Sequence, residues 1–187
     1  MIRIQNLILL VAIFFFHACN SSMDKETYAK YQKQGNEISN LAQATLLANV
    51  GQAIQTGGPE YAVEFCNLEA SGIVDSLNLV YQCEISRVSD KNRNPQNALT
   101  TDIDQKLWQV FKDNPISDTV IQAGPSVMYF KRINTAMPAC LKCHGVPGNE
   151  ISEATMDKLH ELYPNDLATG YQLNDFRGLW KIRFDRE

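Results

Sequence analysis

Five residues, Cys140-Leu141-Lys142-Cys143-His144, constrain this chain more than any other stretch. Two cysteines three apart and a histidine directly after them form the C-x-x-C-H pattern of covalent haem attachment. On a helical turn the two thiols can reach the two vinyl groups of one porphyrin edge, and the next residue brings its imidazole under the iron. Gly145, lacking a side chain, lets the backbone pass close to the macrocycle, and Pro138 and Pro147 bracket a short, stiff segment. Three other readings compete. A zinc site needs a fourth ligand and commonly a second paired motif, which the sequence lacks. A thioredoxin-like dithiol sits in a βαβ unit and needs no histidine. A plain Cys140–Cys143 disulfide is the simplest alternative in an oxidising compartment.

The N-terminus points to such a compartment. Residues 1–18 hold one basic residue, Arg3, then an apolar run over 7–16, the layout of a secretory signal. That run is about half the roughly 20 residues a membrane-spanning helix needs. Cys19 stands where a bacterial lipoprotein signal places its lipid-modified cysteine and is followed by the polar Asn20, Ser21 and Ser22. An ordinary cleavage site is the alternative, because Phe16 and His17 are not the usual residues before an Ala-Cys pair. The expected division is therefore a signal peptide of lipoprotein type over 1–18, a tether over 19–27 and one domain over 28–187. At 187 residues the chain suits one ordinary domain. Without residues 1–18, 16 basic residues face 21 acidic ones, a net of −5 that disfavours nucleic acid and anionic lipid. Membrane contact is then expected only through an N-terminal lipid.

Leu41, Ala44, Ala48 and Ile54 keep near-helical spacing and predict a long helix over 28–56. Gly57 and Gly58 interrupt it, and Pro59 suits the first turn of a second helix running to about Leu77. Ala62, Cys66, Ala70, Ile73 and Leu77 share one side of it, which puts Cys66 on the buried face. Leu79, Tyr81, Cys83 and Ile85 alternate with polar or exposed positions as in a half-buried strand, with Cys83 inward. Residues 89–100 are turn-forming, and a helix over 103–111 is expected to start from Thr100 or Thr101. Further strands are predicted over 118–122, 126–133 and 178–185, giving a mixed α+β domain.

Candidates for the second axial position on an iron are Cys66, Cys83, His160, Met128, Met137 and Met156, besides water or an open site. Cys66 is equally readable as a small buried apolar residue or as the partner of Cys83 in a disulfide.

Four segments resemble a bacterial family of single-domain c-type haem proteins, known from cyanobacteria and others: AVEFC (62–66), RVSDKNRNPQN (87–97), PACLKCHG (138–145) and YPNDLATGYQLNDFRG (163–178). Where the family commonly reads Gly-Asp-Ile-Arg-Gly, this chain has Asn174, Asp175, Phe176, Arg177 and Gly178. The resemblance implies an α+β fold with a PAS-like antiparallel sheet and a long N-terminal helical hairpin packed on it. It implies one covalent haem c, with His144 as proximal ligand and Cys66 as distal thiolate; it carries over no role for Cys83, which is read as a core residue. Arg87, Arg93, Asn97 and Arg177 are then candidates to pair with the haem propionates, and Tyr163, Asp166 and Tyr171 read as turn and packing residues. With both axial positions filled, oxygenase or peroxidase chemistry is disfavoured; an enzyme would need an open sixth position and a distal acid–base group, for which only His160 offers a side chain. The expectation is an exported haem protein, periplasmic or an outer-membrane-associated lipoprotein, sensing redox state or a small ligand for a separate signalling partner. The alternative is a low-potential electron carrier serving an envelope redox partner.

Overall fold

The computed structural model describes residues 23–185. The expected signal peptide, Cys19 and the first part of the tether lie outside the described residues. The order is α1 (Lys25–Leu68), α2 (Ala70–Tyr81), β1 (Glu84–Val88), a 3-10 turn (Pro95–Asn97), α3 (Asp102–Asp113), β2 (Asp118–Ala123), β3 (Ser126–Asn134), α4 (Pro138–His144), α5 (Glu153–Leu162) and β4 (Phe176–Phe184). The strands form one antiparallel sheet in the order β1-β4-β3-β2. The fold is α+β with a long N-terminal helix on the sheet. No helix among the described residues is long and apolar enough to cross a membrane.

α1 starts at Lys25 because the Asp24 carboxylate accepts the Thr27 N–H at 2.8 Å, covering a donor that has no intrahelical partner. Gly35, Ile38, Ser39 and Ala42 recur at one-face spacing and are buried. They lie on the sheet face built from Ile85, Val120, Val127, Tyr129, Trp180, Ile182 and Phe184. The pleat sends Met128, Phe130 and Leu179 to the opposite face, where α3 covers them with Leu107, Trp108 and Phe111. Both faces of the central strands are therefore packed, which is why five successive residues of β3 are buried. Thr101 caps α3 with Asp104 in a reciprocal pair. The same buried Asp104 carboxylate pairs with Lys181 at 2.7 Å, fastening α3 to β4.

Two expectations about the helices need correction. The second helix does not run to Leu77. Gly57 (φ −147°, ψ 19°) and Gly58 (φ 80°, ψ −175°) break α1 where expected, but the part beginning at Pro59 ends at Leu68 and α2 starts anew at Ala70. Nor do residues 79–81 open a strand. They complete α2, which stops at Gln82 in the left-handed conformation (φ 50°) with its N–H on the Asn78 carbonyl. Asn78 Oδ1 then accepts the Ile85 N–H at 2.7 Å, so the ladder begins at Glu84. The apparent alternation there came from apolar side chains that face solvent: Leu79 is 83% and Val80 73% exposed.

The tightest approach in the helix–sheet layer is at Gly35, where an added Cβ would fall within the Tyr129 ring. Gly35→Ala is expected to destabilise the protein by about 1–3 kcal/mol through overpacking, despite alanine's better helix propensity. Urea unfolding measures this; a variant as stable as wild type would show that α1 can shift off the sheet.

Candidate functional site

α4 is one short helix whose Pro138 fills the first-turn position, where a missing N–H costs nothing. Cys140, Cys143 and His144, spaced i, i+3 and i+4, therefore share a face. Gly145 ends the helix by donating to the Leu141 carbonyl at 2.8 Å. A Cβ at Gly145 would lie 2.6 Å from that carbonyl and 2.6 Å from the Glu150 side chain, so the local chain already requires glycine there, without any macrocycle.

The α4 face looks into a cleft between α1 and the end of the sheet formed by β1, β3 and β4, with the 89–97 loop as a further wall. Its empty space, out to the solvent mouth, is about 1140 Å³. Cys140, Cys143 and His144 line it together with Cys66 from α1, and so do Arg87, Arg93, Asn97 and Arg177. A second, more polar opening behind α2 shares Cys66, Arg87, Arg93, Asn97, His144 and Arg177 with it, but neither Cys140 nor Cys143. The remaining axial candidates lie elsewhere. Met128 is under α3, Met156 packs with Val63 and Leu159, Cys83 packs on the α1 side of the sheet, and Met137 and His160 are exposed. Cys66, Cys83, Cys140 and Cys143 are free thiols, so neither disulfide reading is realised. Among the described residues no group of three or more His, Cys, Asp or Glu side chains is placed to hold a metal ion on its own.

His144 is held from behind. Its Nδ1 lies 2.7 Å from the Ala168 carbonyl oxygen. A carbonyl only accepts, so Nδ1 carries the proton and Nε2 keeps its lone pair. Burial, aided by the guanidinium groups of Arg93, Arg177 and Arg87, keeps the imidazole well below its usual pKa and hence neutral. Tyr171 N–H donates to the His144 carbonyl at 2.9 Å, and Gly170 N–H to the Gly145 carbonyl at 2.7 Å. Arg93 completes the support: it pairs with Asp166 at 3.0 Å and donates to the Cys143 carbonyl. Asp166 in turn accepts the Ala168 N–H at 2.8 Å. Asp166 and Tyr171, read above as turn and packing residues, thus belong to the frame of the site. The same turn chemistry in YPND that signalled a loop conceals that role.

The cleft wall is cationic. It contains three arginines and no acid, and Arg177 Nε and Asn134 Oδ1 are buried there without a hydrogen-bond partner. Burial lowers the pKa of Arg87 and Arg177, yet both stay charged. Burial also raises the Cys66 thiol, with Arg87 and Arg93 opposing, and pushes Cys143 up to about 11. On the α1 side, Glu60 accepts from Ser152 Oγ at 3.2 Å and from Thr155 Oγ1, which ties the part of α1 carrying Cys66 to α5. The arrangement offers two thiols and an imidazole nitrogen on one wall, a further thiol on another, and cations for an anionic ligand.

With side chains 13% and 5% exposed, Arg93 and Asp166 form a nearly buried pair. Asp166→Ala leaves that guanidinium uncompensated and is expected to cost about 3 kcal/mol. Urea unfolding checks it, and a loss under about 1 kcal/mol would mean that water reaches Arg93 readily.

Comparison with known proteins fits this geometry. No functionally curated protein matches the chain. Among solved structures, the crystal structure of the cyanobacterial heme-protein Tll0287 superposes with a TM-score of 0.58 at 22% identity, covering 81% of this chain and 96% of that one. The likeness establishes a shared fold. The model of the Tll0287-like family matches residues 20–184, nearly the whole length, and this chain belongs to that family.

Proposed function

We propose that the chain is a c-type haem protein: one haem attached through Cys140 and Cys143, with its iron between His144 and the Cys66 thiolate. The observation that carries this reading is the convergence of Cys66, on the first helix, with the distant C-x-x-C-H helix on one cleft. The residues fit the group. His144 presents an unprotonated Nε2, with its Nδ1 proton already engaged as metal-bound imidazoles require. The unpartnered Arg177 Nε and the acid-free cationic wall suit an anionic ligand. The structurally similar cyanobacterial protein is itself described as a heme-protein.

When bound, haem would supply a one-electron ferric/ferrous couple, and His144 with the Cys66 thiolate as its ligands would poise that couple low. The chain's residues would exclude water with the apolar α1 wall and hold the imidazole in one orientation. The polar opening behind α2 reaches Cys66 from outside. That access favours a sensing module, in which redox change or a small ligand competes with Cys66, over a plain electron carrier. Fold alone does not separate the two. The remainder of the proposal follows the N-terminal reading: an exported protein, periplasmic or lipid-anchored through Cys19 at the outer membrane, read by a separate envelope partner.

Cys140→Ser with Cys143→Ser should abolish covalent haem after maturation with a c-type assembly system, as seen by haem staining of the denatured chain. Cys66→Ala should keep covalent haem but lose the low-spin ferric signal with thiolate character in paramagnetic resonance. Covalent haem in the double variant would refute attachment, and an unchanged spectrum in Cys66→Ala would refute the ligand. Ligand loss on reduction at a very low potential supports sensing; a fast, reversible, mid-range couple supports electron transfer.

A further inference from the structure

We infer that the cleft arginines divide into two roles: Arg87 and Arg177 receive the two carboxylates of the bound haem, whereas Arg93 is a positioning residue that holds the His144 helix. This rests on the haem reading above and adds which cation does what.

Arg93 is already committed. Its Nε and Nη2 engage Asp166 at 3.1 and 3.0 Å, and Nη2 also donates to the Cys143 carbonyl. Its charge is compensated and its planar fork is occupied. Arg87 and Arg177 differ in both respects. Among the described residues neither has a carboxylate partner. Arg87 stands opposite Trp180 across the β1–β4 pair, its guanidinium 5.6 Å from the indole ring centroid, and it makes no side-chain hydrogen bond among the described residues. Arg177 lies 5.3 Å from the Tyr171 ring centroid and donates Nη1 to Ser89 Oγ at 3.0 Å, while its buried Nε has no partner.

Two cations beside aromatic faces, half-buried and without an anionic partner, are costly. They repel each other and the neutral imidazole does not relieve them. A fold keeps such groups where something anionic completes them, and haem brings two carboxylates on the edge away from its vinyl groups. The two openings of the cleft agree with this direction. Cys140 and Cys143 border only the apolar side, whereas Arg87 and Arg177 also border the polar opening behind α2. The carboxylates would then lie toward the part of the cleft that Arg87 and Arg177 share with the polar opening, which the two thiols do not border.

The test uses the full-length protein matured with covalent haem, followed by potentiometric titration and ferric paramagnetic resonance. Arg87→Gln and Arg177→Gln each remove a cation beside the iron, so the ferric state gains. We expect about a tenfold shift of the ferric/ferrous equilibrium, 59 mV downward for one electron, with the low-spin signal kept. Arg87→Lys and Arg177→Lys retain the charge and should restore most of the shift, and they preserve the test if a glutamine variant fails to fold. Arg93→Gln combined with Asp166→Asn leaves the net charge unchanged, and should instead produce a high-spin ferric fraction as His144 loosens. Arg93→Lys, which lacks the fork, should not cure it. Glutamine variants at 87 and 177 that stay within twofold of wild type would overturn their assignment. A wild-type spectrum in the Arg93/Asp166 variant would overturn the positioning role. A wild-type protein without haem would overturn the proposed function as well, whereas a haem-bearing wild type with the contrary variant results would overturn this inference alone.

Discussion

The site depends on a clamp of hydrogen bonds that joins three stretches far apart in the chain. Arg93 in the 89–97 loop reaches both Asp166 and the Cys143 carbonyl, and residues 168–171 return to His144 and Gly145 through backbone groups. α4 has too few residues to hold itself as a helix in water. Its persistence comes from outside, through carbonyls satisfied by a guanidinium and by neighbouring N–H groups. The same contacts determine which nitrogen of His144 carries the proton. Folding of the helix and chemical readiness of the imidazole are thus one event.

The clamp needs a rigid backing, and the sheet provides it. β4 lies between β1 and β3, so Arg87 on β1 is placed by the ladder opposite Trp180, while Arg177, at the bulge near the start of β4, is held by Ser89, whose Oγ donates to the Arg177 carbonyl and accepts from Arg177 Nη1. With α1 on one face and α3 on the other, the strands cannot slip register without turning apolar side chains out. α1 contributes at both ends of the design. Before Gly57 it closes the sheet core, and after Pro59 it carries Cys66 along the cleft while Glu60 fixes that part to α5.

Local rules are satisfied almost everywhere, and most of the exceptions gather around the cleft. Asp24, Thr101 and Ser152 cap their helices, and Asp104 finds Lys181. In the cleft, by contrast, two half-buried arginines lack carboxylate partners among the described residues, and Arg177 Nε and Asn134 Oδ1 are buried unpaired, whereas the core away from the cleft leaves the Tyr129 hydroxyl unpaired. Stability alone would not select such a wall. Concentration of unsatisfied polar groups at the spot where the cysteines and the histidine meet is the physical signature of a binding site.

By itself the sequence determined the elements whose signals are local: the C-x-x-C-H helix between its prolines, the break at Gly57 and Gly58, the cap at Thr101 and the three C-terminal strands. Each follows from neighbours within a few residues, through spacing, capping or backbone restriction. Resemblance in four segments also pointed to Cys66, which spacing could only place on a buried face. Only the tertiary structure decided the rest. It ended α2 at Gln82, because Asn78 takes both the helix end and the Ile85 N–H. It separated Cys66 from Cys83, Met128, Met156 and His160 by placing one of them alone on the cleft. It made Asp166 a partner of Arg93, a pairing across 73 residues that no local pattern encodes. The reason is the same in each case: a hydrogen bond or ion pair between distant residues forms only after packing of the sheet and helices has brought them within reach.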